Sequence, residues 1–464
     1  MDWMQEVLSR KEDFIKDTQE FLRIKSLLDK KTVKAGAPFG KGINEALTHM
    51  LEKGEKDGFI SKNLEGYAGH LEMGQGEDIV GILCHVDVVP EGDGWSSDPF
   101  GAEIRDGKIF ARGAIDDKGP TMAAYYAMKI VKDLGLPLNK RVRMILGTDE
   151  ESDWGCVDHY FKHEEMPALG FAPDADFPII NAEKGIIDAK LTYFFDKTLS
   201  SKSGTKLLSF QSGRRFNMVP DYAEALIQSD DAQGLAEKYN KYLNQYDITG
   251  SASEENGVLT LKAEGVSAHG SLPHTGKNAG LLLSLFLADE ELDHNGKLFI
   301  RQIVAFFSND TSGEKLGIQY EDEVSGPLTV NLGIISYDSE KSGELGVNIR
   351  YPVTGDVERI SEGLKSITEF QLASLSDSKP HYVEAEHELI QTLKKVYEEQ
   401  TGDRAELIAI GGGTYARSLK AGVAFGPMFP GRSDVAHQKD EYVIIDDLLK
   451  ATAIYAQAIY ELAK

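Results

Sequence analysis

The alternation of short apolar strands with amphipathic helices over the first 185 or so residues constrains the fold of this chain most. The pattern predicts helices near 2–25, 42–58 and 119–135, strands near 78–86 and 141–148, and a pair of short strands near 102–111. Pro120 in the first turn and Gly135 just past the end support the helix over 119–135. Apolar strands that alternate with helices indicate a mostly parallel sheet with helices on both faces.

The pattern changes at about residue 187, where strands with alternating apolar and polar residues begin. Helices are predicted among them near 232–245, near 277–290 and within 356–373, which is typical of an α+β domain with antiparallel strands. The helix–strand alternation returns after about residue 381. We therefore expect a discontinuous α/β domain, 1–186 plus 381–464, and an inserted α+β domain, 187–380.

Composition excludes several classes of function. Seventy-five acidic and 50 basic residues give a formal charge of −25, which repels nucleic acid and anionic lipid. The N-terminal segment has no apolar run of signal-peptide or spanning length, so we expect a cytoplasmic protein with no membrane or nucleic-acid partner. Cys84 and Cys156 are too few for a disulfide framework and are expected to be buried thiols.

The stretch "GILCHVDVVP" (81–90) ends an apolar strand with His85 and Asp87. Side chains two residues apart on a strand share a face, and ligands of open α/β sheets bind beyond the carboxyl ends of the strands. A carboxylate beside an imidazole fixes its tautomer, as it does behind many metal-bound histidines. The plainer alternative is a surface histidine with a capping aspartate.

Acidic residues recur at other element ends. Asp116 and Asp117 directly precede the helix predicted from 119, where an N-cap accounts for one carboxylate and leaves the other free to bind a ligand. Spacing does not decide which of the two is free.

The segment "GTDEESDW" (147–154) follows another apolar strand and crowds four carboxylates together: Asp149, Glu150, Glu151 and Asp153. Such crowding is tolerated when the groups are solvated or when cations neutralise them. The position after a central strand favours cations. Asp174 and Asp176, in "FAPDADFP", and His437, near the C-terminus, complete the set of candidates.

Two histidines and several carboxylates, without paired cysteines, suit Zn²⁺ or Mn²⁺. The set is large enough for two ions, each with one histidine and one terminal carboxylate, and one aspartate shared between them. Two such ions, roughly 3.5 to 4 Å apart, can hold a hydroxide and polarise a scissile carbonyl. One carboxylate remains to act as a general base.

Four of these motifs, "CHVDVVP", "ARGAIDDKGP", "GTDEES" and "FAPDADFP", resemble the successive metal-site motifs of the dinuclear aminoacylase and carboxypeptidase G family of metallopeptidases. Together with "GRRFNMVPDYAEA", "LKAEGVSAHGSLPHTGKNA" and "IAIGGGTYAR", they are most similar to the PepV-type bacterial dipeptidases. The resemblance extends from about residue 35 to the C-terminus. It implies a catalytic α/β domain, an α+β lid, and hydrolysis of unblocked dipeptides.

The resemblance also implies a role for each residue of the metal site. The implied metal ligands are His85 and Asp174 for one ion, Glu151 and His437 for the other, and Asp116 for both. Asp87 would orient His85, and Glu150 would be the general base. The family pattern of Asp, any residue, Lys and Gly favours Asp116 over Asp117 as the bridging residue.

Residues outside the metal site are assigned in the same way. His269 of the lid would stabilise the oxyanion, Asn217 would help to position the same group or the substrate carboxylate, and Arg350 would bind that carboxylate. Gly412, Gly413 and Thr414 would offer it backbone N–H groups. The alternatives are a solvated loop histidine at 269 and an ion pair on the sheet surface at Arg350.

Other functions remain open at this point. The same metal site suits an N-acyl amino acid amidohydrolase or a carboxypeptidase, and a protein that binds metal or peptide without turnover is a third alternative. The sequence leaves undecided which metal is native, which side chains or D- and β-linked substrates are accepted, and which carboxylate recognises the free amino terminus. The long insert leads us to expect a monomer.

Overall fold

A computed structural model describes residues 1–195 and 204–464. The helices are α1 (Trp3–Leu8), α2 (Lys11–Leu22), α3 (Lys41–Lys56), α4 (Lys118–Asp133), α5 (Gly155–His163), α6 (Ala232–Gln245), α7 (Ala279–Ala288), α8 (His294–Phe307), α9 (Val357–Lys365), α10 (Glu388–Thr401) and α11 (Ile445–Ala463). Short 3₁₀ helices cover Pro273–Thr275 and Tyr415–Ser418.

The strands of the first half are β1 (Ile60–Leu64), β2 (Ala68–Gly74), β3 (Ile79–His85), β4 (Glu103–Arg105), β5 (Lys108–Phe110), β6 (Arg141–Gly147), β7 (Leu169–Ala172), β8 (Ala175–Asp176), β9 (Ile179–Glu183), β10 (Gly185–Tyr193), β11 (Thr205–Ser212) and β12 (Tyr222–Ser229). The second half contains β13 (Gly250–Glu255), β14 (Val258–Glu264), β15 (Glu321–Asp322), β16 (Gly326–Pro327), β17 (Thr329–Asp338), β18 (Ser342–Tyr351), β19 (Phe370–Ser378), β20 (His381–Tyr382), β21 (Leu407–Ile410), β22 (Gly422–Ala424), β23 (Pro427–Met428) and β24 (Tyr442–Ile444).

The chain divides into two compact units. Unit 1 comprises Met1–Asn181, Tyr382–Ile408 and Gly413–Lys464, and unit 2 comprises Ala182–His381 and Ala409–Gly412. Each unit has its own buried apolar cluster.

The main sheet of unit 1 is mixed, and its centre is parallel. Its strand order is β1-β2-β6-β3-β7-β22-β9-β20. The pairs β6–β3, β3–β7 and β7–β22 are parallel, whereas β1–β2 and β2–β6 on one side and β22–β9 on the other are antiparallel. The fold-class prediction of an α/β unit is confirmed, and the antiparallel outer strands are a feature that the sequence analysis did not anticipate.

Helix α4 lies at the centre of this unit. It packs against α11 and against β3 and β6, and almost all of its residues are buried. Pro120 lies in its first turn, where a missing backbone N–H costs nothing, and Gly135 follows its end with φ +60°. The helix predicted over 119–135 is thus confirmed within two residues.

Unit 2 is built on one eight-stranded antiparallel sheet with the order β13-β14-β12-β11-β17-β18-β10-β19. Its strands alternate buried and less buried residues, most regularly in β10 and β12. Helices α6 and α7 pack on β12, β13 and β14, and α9 packs on β19. The α+β character predicted for this part of the chain is confirmed.

Two local predictions were wrong or incomplete, and some elements were not predicted. The helix predicted over 2–25 is broken at Ser9 and Arg10, because the Ser9 hydroxyl donates to the carbonyl of Glu6 and the chain restarts as α2. The helix predicted within 356–373 ends at Lys365, and the following residues form edge strand β19. Strands β1 and β2, and helix α8, were not predicted.

Both cysteines are buried and free, as predicted. In the part of the chain that the structure describes, none of the helices combines the length and apolar character needed to cross a bilayer.

Candidate metal centre

The central parallel strands of unit 1 bring acidic residues to one edge of the sheet. His85 is the last residue of β3, Asp149 to Glu151 follow β6, and Asp174 follows β7. Strand β3 lies between β6 and β7 and runs parallel to both, so the carboxyl ends of all three meet at the same edge. Sequence reasoning predicted this edge as the ligand-binding edge.

Asp116 lies between the two predicted histidine ligands. Its Oδ1 is 3.0 Å from Nε2 of His85, and its Oδ2 is 3.0 Å from Nε2 of His437. Asp116 directly precedes Asp117, the N-cap residue of α4, so the loop before that helix determines where the Asp116 carboxylate points. A carboxylate with one oxygen toward each imidazole has the arrangement needed to join two ions.

Asp117 makes different contacts from its neighbour. Its Oδ2 accepts hydrogen bonds from the backbone N–H of His85 and from the Thr121 hydroxyl, both at 3.1 Å. The carboxylate is fully buried, and Oδ1 has no hydrogen-bond partner among the described residues. An oxygen of Asp117 still lies within 4.8 Å of ligand atoms of His85 and Asp174, so this residue belongs to the cluster.

The other predicted ligands complete two groups of potential donors. Asp174 Oδ2 is 3.7 Å from Nε2 of His85, and Glu151 Oε1 is 3.1 Å from Nε2 of His437. Ligand atoms of His85, Asp116 and Glu151 lie within 4.8 Å of one another. All five predicted metal ligands therefore lie in one cluster, although they are far apart in the sequence.

Asp87 holds two parts of the site together. Its carboxylate oxygens accept the backbone N–H groups of Glu150 at 3.2 Å and Glu151 at 3.1 Å. Nδ1 of His85 lies 3.0 Å from the backbone carbonyl oxygen of Asp87 and 3.4 Å from its carboxylate. Because the carbonyl only accepts, Nδ1 donates the hydrogen, and Nε2 faces Asp116 and Asp174.

The acidic groups perturb the pKa values of both histidines. Burial opposes a charged imidazole at His85, but the carboxylates of Asp116, Asp174 and Asp87 outweigh it and raise the pKa well above its usual value. Hydrogen bonds that His437 donates to the carboxylates of Asp116 and Glu151 raise its pKa to about 10. Positive charge is thus strongly favoured at both imidazoles.

The donor set fits divalent cations. Five carboxylates, those of Asp116, Asp117, Glu150, Glu151 and Asp174, surround only two imidazoles. Burial is the main cause that raises the pKa of Asp174 to about 6, and the negative charge of Asp116 is the next. Nitrogen and oxygen donors of this kind suit Zn²⁺ or Mn²⁺, whose charge compensates for the crowding.

Three acidic residues singled out from the sequence lie outside the two donor groups. Asp149 accepts the backbone N–H of Gly155 at 2.9 Å and so binds the first turn of α5. Asp153 is exposed, and Asp176 is partly buried in β8. In the described part of the chain, neither donor group contains any of these three.

Sequence reasoning missed three residues that support the cluster. Arg112 and Glu441 form a buried ion pair, with Nη1 and Oε2 2.5 Å apart. Tyr415 is buried with its ring 6.1 Å from that of His85, edge to face, and its hydroxyl lies 3.0 Å from Sγ of Cys156. Arg112 in "ARGAIDD" stood close to the predicted site, but its partner, far along the chain, gave no local signal.

His269, from unit 2, lies in an exposed turn. Its Nδ1 is 2.7 Å from the Ser271 hydroxyl and accepts the backbone N–H of Ser271 at 3.3 Å. Partial desolvation is the main cause that lowers the pKa of His269, and the positive charge of Arg350 lowers it further. A neutral ring with Nδ1 as acceptor carries its hydrogen on Nε2.

Arg350 is buried in β18, which excludes the alternative of an ion pair on the sheet surface. Its Nε donates to Oδ1 of Asn348, and its Nη1 donates to the carbonyl of Gly411, both at 2.8 Å. Asn217 is exposed, and its carbonyl accepts the backbone N–H of Gly270. That bond joins Asn217 to the turn that contains His269.

The glycine-rich segment passes from one unit into the other. Gly412 ends the short stretch of unit 2, and Gly413 begins the last stretch of unit 1. Thr414 is mostly buried, and its hydroxyl accepts the backbone N–H of Ala416 at 3.3 Å. Its side chain therefore caps the 3₁₀ helix Tyr415–Ser418.

A cluster of histidines and carboxylates at the strand ends of an α/β unit is the arrangement of a metal-dependent hydrolase. Residues 81–461 match peptidase family M20/M25/M40. The chain belongs to this family and is a metallopeptidase, which confirms the resemblance seen in its motifs.

Relatives and solved structures agree with this assignment. The chain is 61% identical over its full length, and over the full length of the relative, to the protein named "Putative dipeptidase YtjP" of Bacillus subtilis (strain 168). It is 45% identical, over 99% of each chain, to one named "Putative dipeptidase" of Staphylococcus epidermidis. The fold is similar to that of the M20 family metallo-carboxypeptidase Sso-CP2 of Sulfolobus solfataricus, with a TM-score of 0.56, 17% identity and coverage of 96% of this chain and 98% of the other. It is also similar to human carnosine dipeptidase 1, with a TM-score of 0.55, 14% identity and coverage of 99% and 98%.

Proposed function

We propose that this metallopeptidase is a dipeptidase that hydrolyses unblocked dipeptides with two divalent cations. The preferred cation is Zn²⁺, and Mn²⁺ is the alternative. The observation that carries the proposal is the position of Asp116, whose two oxygens each lie 3.0 Å from a different histidine Nε2. The names of the full-length relatives support peptides of two residues as substrates.

In this proposal His85 and Asp174 hold one cation, Glu151 and His437 hold the other, and Asp116 binds both. The cations supply positive charge that polarises the peptide carbonyl and acidifies the attacking water. Asp87 keeps the hydrogen of His85 on Nδ1, which leaves Nε2 available as a ligand.

Glu150 is the general base of the proposed reaction. Its backbone N–H is held by Asp87, next to the residue that binds the second cation. Among the described residues, no hydrogen bond or ion pair engages the Glu150 carboxylate. The carboxylate is therefore available to accept a proton from water and to return it to the leaving amine.

His269 stabilises the oxyanion, because the hydrogen on its Nε2 is a donor for developing negative charge. Asn217 extends the same turn and helps to position this group or the substrate carboxylate. Arg350, together with the backbone N–H groups of Gly412, Gly413 and Thr414, binds the free carboxylate of the dipeptide. A lid that supplies a catalytic group must close on the substrate in each turnover.

We further propose a cytoplasmic monomer. Two free, buried cysteines are compatible with a reducing compartment. A monomer is expected because the large antiparallel unit provides the lid residues within the same chain.

A substrate panel with and without metal tests the proposal. Dialysis against a chelator should abolish hydrolysis of free dipeptides, and Zn²⁺ or Mn²⁺ should restore it. Preference for N-acetylated amino acids or for longer peptides would instead favour an amidohydrolase or a carboxypeptidase on the same site. Peptide binding without any product would favour a non-catalytic binding protein.

A further inference from the structure

We propose that Glu441 is a positioning residue that holds Asp116 in place against His437, with Arg112 as its partner. The inference rests on the proposed function, because it concerns the aspartate that would bind both cations. Glu441 is fully buried and does not belong to either group of donor atoms.

The carboxylate of Glu441 binds the loop that leads to Asp116. Its Oε2 accepts from Arg112 Nη1 at 2.5 Å and from the backbone N–H of Gly113 at 3.1 Å. Its Oε1 accepts from the backbone N–H groups of Ile115 at 2.9 Å and Asp116 at 3.3 Å. One carboxylate therefore accepts from three backbone N–H groups of the same loop and from a guanidinium, and it fixes the backbone from which the Asp116 side chain projects.

The backbone around Glu441 holds the segment that contains His437. The carbonyl of Glu441 accepts the N–H of Ala111, and the next residues form β24, which pairs with β5. The preceding residue, Asp440, accepts the backbone N–H and the hydroxyl of Ser96 at 2.7 and 2.9 Å. Glu441 thus joins the Asp116 loop to the segment of His437.

His437 depends on such support because its backbone is strained. Its φ is +61°, in the left-handed region that only a few per cent of residues other than glycine adopt. Asp440 is also in this region, with φ +57°. Two such residues within four positions remain in place only when the surrounding contacts determine their conformation.

Removal of the Glu441 charge would leave buried donors without an acceptor. The Arg112 guanidinium is 1% exposed, so it would lose its charge partner in a site with little access to water. The loop would then shift, and Asp116 would no longer present one oxygen to each histidine. Loss of such an outer support typically weakens metal binding by 10 to 100-fold.

The ion pair of Arg143 and Glu72 is a matched control within unit 1. Nε of Arg143 and Oε2 of Glu72 are 2.6 Å apart, and both side chains are nearly buried, with 5% and 11% exposure. The pair joins strands β6 and β2 and contacts none of the proposed metal ligands. A purely structural role for Glu441 would make the two pairs behave alike.

The experiment compares Glu441→Gln and Glu72→Gln in the metal-free full chain. Zn²⁺ affinity is measured by competition with a chromophoric chelator, and the melting temperature of the metal-free protein is measured in parallel. Both variants should melt at a lower temperature than wild type. Only Glu441→Gln should lose Zn²⁺ affinity, by about 10 to 100-fold. If Glu441→Gln does not fold, Glu441→Asp, which keeps the charge on a shorter side chain, replaces it with the same expectation.

The outcomes separate the two proposals. Wild-type Zn²⁺ affinity in the Glu441 variant, or an equal loss in the Glu72 variant, would overturn the positioning role and leave the proposed function intact. A wild-type protein that binds no Zn²⁺ and no Mn²⁺ would overturn both.

Discussion

Asp116 and His437 lie 3.0 Å apart, Oδ2 to Nε2, although most of the chain separates them in sequence. Asp116 follows β5 by a short loop, and His437 precedes β24. The antiparallel pairing of β5 with β24, in which Phe110 is opposite Tyr442, brings the two segments together. Half of the proposed metal centre therefore depends on a small three-stranded sheet beside the main one.

The two adjacent aspartates should respond differently to loss of charge. Asp116→Asn should reduce Zn²⁺ affinity by at least 10-fold, because one oxygen of the carboxylate facing the two histidines becomes a poorly ligating amide nitrogen. Asp117→Asn should mainly lower the melting temperature, since Asp117 accepts from His85 N–H and from Thr121. Chelator competition and thermal unfolding of both variants measure this. A greater loss of Zn²⁺ affinity in Asp117→Asn would assign the bridging role to Asp117.

The two adjacent glutamates should separate catalysis from metal binding. Glu150→Gln should keep its metal and lose about 10² to 10⁴-fold in kcat, because it removes the proton acceptor. Glu151→Gln should lose metal, since its Oε1 lies 3.1 Å from His437 at the proposed second ion. Metal analysis and dipeptide hydrolysis of both proteins test this. Equal metal contents in the two variants would contradict the division of roles.

His269→Ala should reduce kcat by about 10² to 10³-fold with the metal content unchanged, because it removes a donor to the oxyanion. Ser271→Ala should have a smaller effect, since the backbone N–H of Ser271 still binds Nδ1. His274→Ala is the control, because His274 is an exposed histidine in the same unit. If His269→Ala is about as active as His274→Ala, His269 is a solvated loop histidine and does not stabilise the oxyanion.

His70 should make the protein less stable in mild acid. Arg143 donates to the Tyr160 hydroxyl, which donates to Nδ1 of the buried His70, so the ring is neutral. Burial is the main cause that lowers the pKa of His70 to about 4, and the positive charge of Arg143 is the next.

Between about pH 4 and pH 6.5 the unfolded state therefore binds more protons at His70 than the folded state. The contribution of this residue to stability is fully present above about pH 6.5 and decreases as the pH falls, by roughly 3 kcal/mol in total. Urea midpoints of the metal-free protein should decrease less steeply with acid in His70→Gln than in wild type. The exposed His163→Gln should follow wild type, and an unchanged slope in His70→Gln would contradict the assignment.

The part of the site that follows regular strands was predictable from the sequence. His85, Glu151 and Asp174 each lie just beyond an apolar strand, and parallel strands must bring such ends to one edge. The α/β and α+β classes of the two parts of the chain followed from strand periodicity in the same way.

The remaining features depend on tertiary contacts that leave little local signal. The sequence predicts a continuation of helix α9 into the start of edge strand β19, because the residues of β19 alternate weakly and the strand is defined by its pairing with β10. Helix α8 could have been found from Asp293, which accepts the backbone N–H of Gly296 as an N-cap. No local pattern joins Arg112 to Glu441, so their buried pair was visible only in the structure.

Metal analysis of the active protein, after dialysis to remove loosely bound ions, is the sharpest test of the proposed two-cation mechanism. We expect about two divalent cations per chain and loss of dipeptidase activity in step with their removal. Full dipeptidase activity in a protein that contains no divalent cation would contradict that mechanism.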